Sequence, residues 1–173
     1  MIRYVAADIS FQEVPMQVSL VFYISGCRHR CPGCHSPQLQ EDVGDPLTPE
    51  VIQDYCKKYE GMFNCICFMG DGGDWQALAH LMLESACQHK AVALYTGSTY
   101  EETPSFVRRI PDFLKVGPYI EKNGALTAYS TNQRFYFLKH WWEVNDFTHL
   151  FRKTYYEEAS SDGEDQVYSE PEY

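Results

Sequence analysis

No run of apolar residues in this chain is long enough to cross a bilayer, which takes about 20 in succession, and the opening MIRYVAADIS lacks the basic stretch and apolar segment of a secretory signal. Both absences predict a cytoplasmic protein that does not enter a membrane. Positive charge is also scarce, with 14 Lys and Arg against 24 Asp and Glu and a formal net charge of −10. Seven of the acids lie in residues 157–173, which hold no Lys or Arg, so residues 1–156 carry only −3. Without the basic footprint that neutralises phosphates, nucleic-acid binding is excluded. Internal repeats are absent.

The composition that remains is that of a folded chain: 45% hydrophobic and 15% aromatic residues over a length of 173. That length suits a single domain able to bury about 70% of its unfolded surface. The reading places this domain at 1–156 and assigns 157–173, which has charge and turn formers but no apolar periodicity, to a disordered acidic tail. Seven cysteines, at 27, 31, 34, 56, 65, 67 and 87, are an odd number in a compartment that keeps thiols reduced. They read as thiols or metal ligands rather than disulfides.

Residues 17–24, QVSLVFYI, form a buried-strand pattern that stops at Ser25-Gly26, immediately before the first cysteine. Thr48 followed by Pro49 opens a helix over VIQDYCKKYEGM. A second strand, 64–69, runs into the glycine-rich turn GDGGD and then a helical segment, WQALAHLMLESACQH. Strands follow at 91–95 and 113–116, with a helix near 105–110 between them and a further strand at 134–138. This alternation predicts βαβ units on a parallel sheet, with glycine-marked loops at the strand ends where such folds bind ligands.

Cys27, Cys31 and Cys34 are spaced C-x3-C-x2-C. Positions i, i+4 and i+7 share one face of a helix, so core packing is the plain alternative. Pro32, Gly33 and Pro37 break such a helix and leave a loop whose thiolates can converge. Zinc is the rival ligand, with His29 or His35 completing a Cys3His set. An iron–sulfur cluster usually takes four thiolates; three would leave one iron open, as a reaction needs and a structural site avoids. Cys65 and Cys67 alternate on one strand face and read as core, as do Cys56 and Cys87 on helices. Asp74 is placed either to cap the helix that follows it or to receive an amino group.

The triplet in the loop after the first buried strand resembles the signature of the radical S-adenosylmethionine superfamily, and ISGCRHRCPGCHSP is similar to the cluster loop of the activating proteins of anaerobic (class III) ribonucleoside-triphosphate reductases. The turn Gly72-Gly73-Asp74 resembles that family's GGD turn, and Tyr95-Thr96-Gly97, DFLKVGPY at 112–119 and STNQ at 130–133 match further segments in order, so the likeness spans roughly residues 1–138. Trp75 stands where proline usually follows, and GDGGD leaves Gly70-Asp71 as the other candidate pair.

The resemblance implies an α/β fold, a partial (βα) radical-SAM barrel with a mostly parallel sheet, helices on the outer face and the cluster loop after the first buried strand. It implies one 4Fe-4S cluster per chain on Cys27, Cys31 and Cys34, and S-adenosylmethionine contacted by Gly33, Cys34, Gly72, Gly73, Asp74 and Thr96. The implied activity is reductive cleavage of S-adenosylmethionine to a 5′-deoxyadenosyl radical that takes hydrogen from a glycine of the reductase. The implied partners are that reductase and an electron donor such as flavodoxin or ferredoxin. An activase of another glycyl-radical enzyme and a non-catalytic zinc-binding module are the alternatives.

Overall fold

The computed structural model describes residues 1–140 and 143–152. The expected acidic tail, 157–173, and the last residues of the expected domain lie outside them. In chain order the elements are β1 (Arg3–Ser10), β2 (Ser19–Ile24), β3 (Asp45–Pro46), α1 (Pro49–Lys58), β4 (Cys65–Met69), α2 (Trp75–Ala86), β5 (Ala91–Tyr95), α3 (Ser105–Arg108), β6 (Phe113–Val116), β7 (Arg134–His140) and β8 (Glu143–Asp146).

These strands form one sheet in the order β3-β1-β2-β4-β5-β6-β7-β8. The ladders joining β2, β4, β5 and β6 are parallel. The flanking ladders, β1 with β2 and β3, β7 with β6 and β8, are antiparallel. The sheet is therefore mixed, where the sequence predicted a mostly parallel one. The difference comes from β1, β3 and β8, which are partly or fully exposed, and from β7, which pairs antiparallel with β6; half-solvated strands suit antiparallel pairing and carry no continuous apolar run to announce them.

The helices start where the sequence places them. Thr48 accepts a hydrogen bond from the Val51 amide at 3.4 Å with Pro49 in the first helical position, and Asp74 accepts from the Ala77 amide at 3.1 Å. Each such cap stabilises its helix by about 1 kcal/mol. The first helix stops at Lys58 rather than running on to Met62, since Gly61 takes a left-handed φ of 76°, and α3 is a single turn of four residues.

Alternation along the strands sorts the core into two faces. Leu20, Phe22 and Ile24 of β2, Ile66 and Phe68 of β4, Val92 and Leu94 of β5, and Leu114 and Val116 of β6 pack with Ile52, Leu78, Leu81, Met82 and Val107 from the three helices. Phe22 stacks on Phe68 at 6.1 Å and meets Tyr55 edge-on at 5.5 Å. Burying each such ring or branched side chain contributes roughly 1.5–3 kcal/mol. The opposite face holds Val21, Cys65, Cys67, Ala93, Phe113 and Phe135, covered by Val14 and Leu126 from connecting segments and by Phe147 and Phe151 at the ends of a 3-10 turn, Thr148–Phe151.

Cys65 and Cys67 are thus core residues of that second face. Burial pushes the Cys65 thiol up to about 12 and the Cys67 thiol well above its ordinary value. At about pH 8 a thiol of pKa near 12 is ionised roughly once in ten thousand, and the thiolate is the nucleophile. Iodoacetamide is expected to alkylate the exposed Cys87 of the native protein while sparing Cys65 and Cys67 until denaturant is added, as peptide mass mapping would show. Cys65→Ala is expected to lower the unfolding free energy by about 1 kcal/mol, read from the urea midpoint.

Candidate functional site

The segment 25–44 between β2 and β3 is a long connection, a length that in compact domains usually carries function. Its two ends are tied together. The Gly26 amide donates to Glu41 O and the Cys27 amide to Leu39 O, both at 3.0 Å, and the Ser25 hydroxyl donates to Val43 O at 2.5 Å. Within the closed loop the backbone reverses at two left-handed positions, Arg30 (φ 45°) and Gly33 (φ 69°). For arginine that conformation is costly, and it persists only where the surroundings impose it. No helix forms across the triplet.

The result is that Cys27, Cys31 and Cys34 all line one cavity of about 490 Å³ on the face of the sheet away from α1, α2 and α3. Its floor is a row across the strand ends: Tyr23, Met69, Tyr95 and Lys115, register partners on β2, β4, β5 and β6. Burial pushes the Cys27 thiol up; hydrogen bonds from the His29 and Arg30 amides pull it down, and the Asp71 carboxylate opposes them. The Ser36 amide donates to Cys34 Sγ at 3.4 Å.

A second group adjoins the cavity. Thr96, just past β5, lines it and donates its hydroxyl to Asp71 Oδ2 at 2.6 Å. The Gly73 amide donates to Asp71 Oδ1 at 3.0 Å, and the Ser98 amide donates to Thr96 Oγ1 at 3.0 Å. His29, from the cysteine loop, brings Nε2 to 3.5 Å from Asp71 Oδ2 and 3.4 Å from Ser98 Oγ. Asp71 is 5% exposed and Thr96 3%.

Of the residues singled out from sequence, the three cysteines and Thr96 come together. Gly72, Gly73 and Asp74 do not join them: they line a separate depression with Met1, Arg28 and Trp75. Asp74 is occupied as the cap of α2 and lies 2.6 Å from the Met1 nitrogen; these contacts hold its carboxyl below the usual range. The other pair, Gly70-Asp71, is the one beside the thiols. Gly33 points toward Tyr119 and Glu121, where a Cβ would stand 3.4 Å from the Glu121 carboxyl carbon. Sequence reading missed the role of Lys115 and the Asp71–Thr96–His29 contacts. The signal for the first was a lone charged residue on the same strand face as Phe113 in a buried strand; contacts between distant loops leave none.

The donor set can be tested against a metal group. Among the described residues, no three His, Cys, Asp or Glu side chains are arranged to hold a single metal ion. His29 is turned toward Asp71 and Ser98, and the His35 ring packs against Tyr119 at 5.0 Å. A cubane takes each thiolate on a different iron, so three thiols spread around one cavity fit it without an imidazole. Lys115 places a cation in the same cavity, suited to a group that carries negative charge.

Comparison with known proteins gives one match. A family model described as a 4Fe-4S single cluster domain matches residues 17–135, over half of the chain and all of the elements from β2 to β6. No curated protein and no solved structure matches. Among the described residues no helix is long and apolar enough to cross a membrane.

The buried Asp71 carboxylate depends on the Thr96 hydroxyl. Thr96→Val keeps the shape and leaves that carboxylate short of a donor, which costs about 1–3 kcal/mol. The urea midpoint is expected to fall accordingly, whereas Asp74→Asn at the exposed cap should lower it less.

Proposed function

The chain belongs to the family of 4Fe-4S single cluster domains, and from that premise we propose that it is a radical S-adenosylmethionine enzyme that activates anaerobic ribonucleoside-triphosphate reductase by generating a glycyl radical on it. The observation that carries the reading is the convergence of Cys27, Cys31 and Cys34 in one cavity at the ends of parallel strands. The resemblance of the cysteine loop and of the VGPY and STNQ segments to reductase activases supports the substrate. Three helices on one face and four parallel strands at the centre are what a partial radical-SAM barrel would require.

In this reading Cys27, Cys31 and Cys34 hold the cluster. When bound, the cluster would supply the electron for reductive cleavage of the sulfonium bond to the 5′ carbon of S-adenosylmethionine. The chain's own contribution is placement and exclusion of water. Gly70 and Thr96 give the cavity wall beside the thiols, and Asp71, behind that wall, accepts from the Thr96 hydroxyl and would lend negative charge to the site of the S-adenosylmethionine amino group. Tyr23, Met69 and Tyr95 make an apolar floor broad enough for a flat ring. The Gln133 side chain donates to Gly117 O at 3.3 Å and that of Asn132 to Pro118 O at 2.9 Å, so STNQ braces the VGPY turn that closes the far side.

The test has two stages. Anaerobically reconstituted protein is expected to be brown with about four iron and four sulfide per chain and, once reduced by dithionite, to form 5′-deoxyadenosine; Cys31→Ala should lose both properties. Added to the cognate reductase, it should raise a doublet glycyl-radical signal in electron paramagnetic resonance that disappears when the reductase's radical glycine is replaced by alanine. Colourless protein with one zinc overturns the reading. Cleavage without any radical on the reductase overturns only the partner.

Asp71 and Asp74 separate in the same assay. Asp71→Asn is expected to weaken S-adenosylmethionine binding about tenfold or more, the loss of one interaction with a charged group, with iron content retained. Asp74→Asn should leave binding within about twofold, and the reverse order would return the cofactor turn to Gly72-Gly73-Asp74.

A further inference from the structure

Lys115, the one charged member of the cavity floor row, occupies an unusual position. It lies in the middle of the sheet on β6, pairing with Tyr95 on one side and Phe135 on the other, on the face that otherwise carries Phe113, Phe135 and Phe137. Its Nζ donates to Gly117 O at 3.0 Å. Among the described residues no carboxylate pairs with it. A cation in such a place normally has a partner of opposite charge, because removing it from water is costly. Burial lowers the Lys115 ammonium to about 8, and the groups that pull it back up are Cys31, Cys34 and Cys27, in that order. All three line the same cavity as the lysine.

We propose that Lys115 is a positioning residue whose positive charge shares the cavity of the three cluster thiolates and raises the reduction potential of the group they hold. The proposal rests on the cluster part of the reading above and not on the identity of the substrate protein. One-electron reduction, with the electron supplied by an external donor, adds one negative charge to a cluster whose three thiolates already outweigh its positive core. A cation lining the same cavity as those thiolates stabilises the reduced form more than the oxidised form. An apolar side chain in its place would leave the oxidised cluster bound but harder to reduce. Phe113 and Phe135 show that this face of the sheet accepts apolar side chains, so the charge is what a neutral substitution removes.

Lys115→Met, Lys115→Arg and the unaltered protein are reconstituted anaerobically and compared without S-adenosylmethionine. Iron and sulfide analysis and visible absorbance establish that a cluster is present; a potentiometric titration followed by electron paramagnetic resonance then gives its midpoint. Lys115→Met is expected to shift the reduction equilibrium at least tenfold toward the oxidised form, about 59 mV for a one-electron couple, and Lys115→Arg to restore most of the shift. A full cluster in Lys115→Met with its midpoint within twofold of the unaltered protein overturns the proposal. Cluster lost from Lys115→Met but kept in Lys115→Arg supports the need for charge. Cluster lost from both shows that shape rather than charge is required and overturns it. An unaltered protein that binds no cluster fails the function proposed above instead, so the two failures are distinguishable.

Discussion

The helices pack on one face of the sheet only, and the arrangement of the site follows from that asymmetry. Leu20, Phe22, Ile66, Phe68, Val92, Leu94 and Leu114 are spent against α1, α2 and α3, so the residues alternating with them point to a face that none of these three helices covers. Part of this face is closed by Val14, Leu126 and aromatic side chains. Toward the C-terminal ends the row Tyr23, Met69, Tyr95 and Lys115 is left beneath an open volume, and the cysteine loop arches over it. Parallel strands bring this about because each of them delivers its following loop to the same edge.

The same side chain has opposite prospects on the two sides of this boundary. Cys67 and Cys65, two and four residues back along β4 from Met69, are pushed up by burial, with only the Ser19 hydroxyl working against it at Cys65. Cys27 is also pushed up by burial, but the amides of His29 and Arg30 work against the shift, and the half-buried Lys115 lines the same cavity. Metal binding requires the thiolate, so it is the donors around the sulfur rather than the count of cysteines that separate ligand from filler.

Much of this was legible from the residues in order. The runs at 91–95 and 113–116 are the observed strands to the residue, because short apolar segments bounded by Gly or Pro admit little else, and Thr48-Pro49 and Asp74 mark the helix starts by chemistry that is local. The edge strands were not legible. RYVAADIS alternates weakly and is half exposed, and its place beside β2 is set by pairing rather than by propensity. The choice between two Gly-Asp pairs was equally beyond reach, since both follow β4 and both flank a helix start. Geometry separates them through Thr96, some 25 positions away along the chain. No pattern confined to GDGGD records that bond.

The loops at the edge are not independent of one another. Gly97 allows the His29 ring to lie against the end of β5: a Cβ there would stand 2.5 Å from His29 Cδ2. His29 is itself two residues from Cys27 and reaches Asp71 and Ser98. The missing side chain at 97 therefore couples the cysteine loop to the glycine turn and to the Thr96 segment. A displacement of any one of the three must be shared by the others, because the polar groups between them are buried and would otherwise lose their partners. The position of the thiols over the cavity is in this sense a property of three loops together, although only one of them carries cysteine.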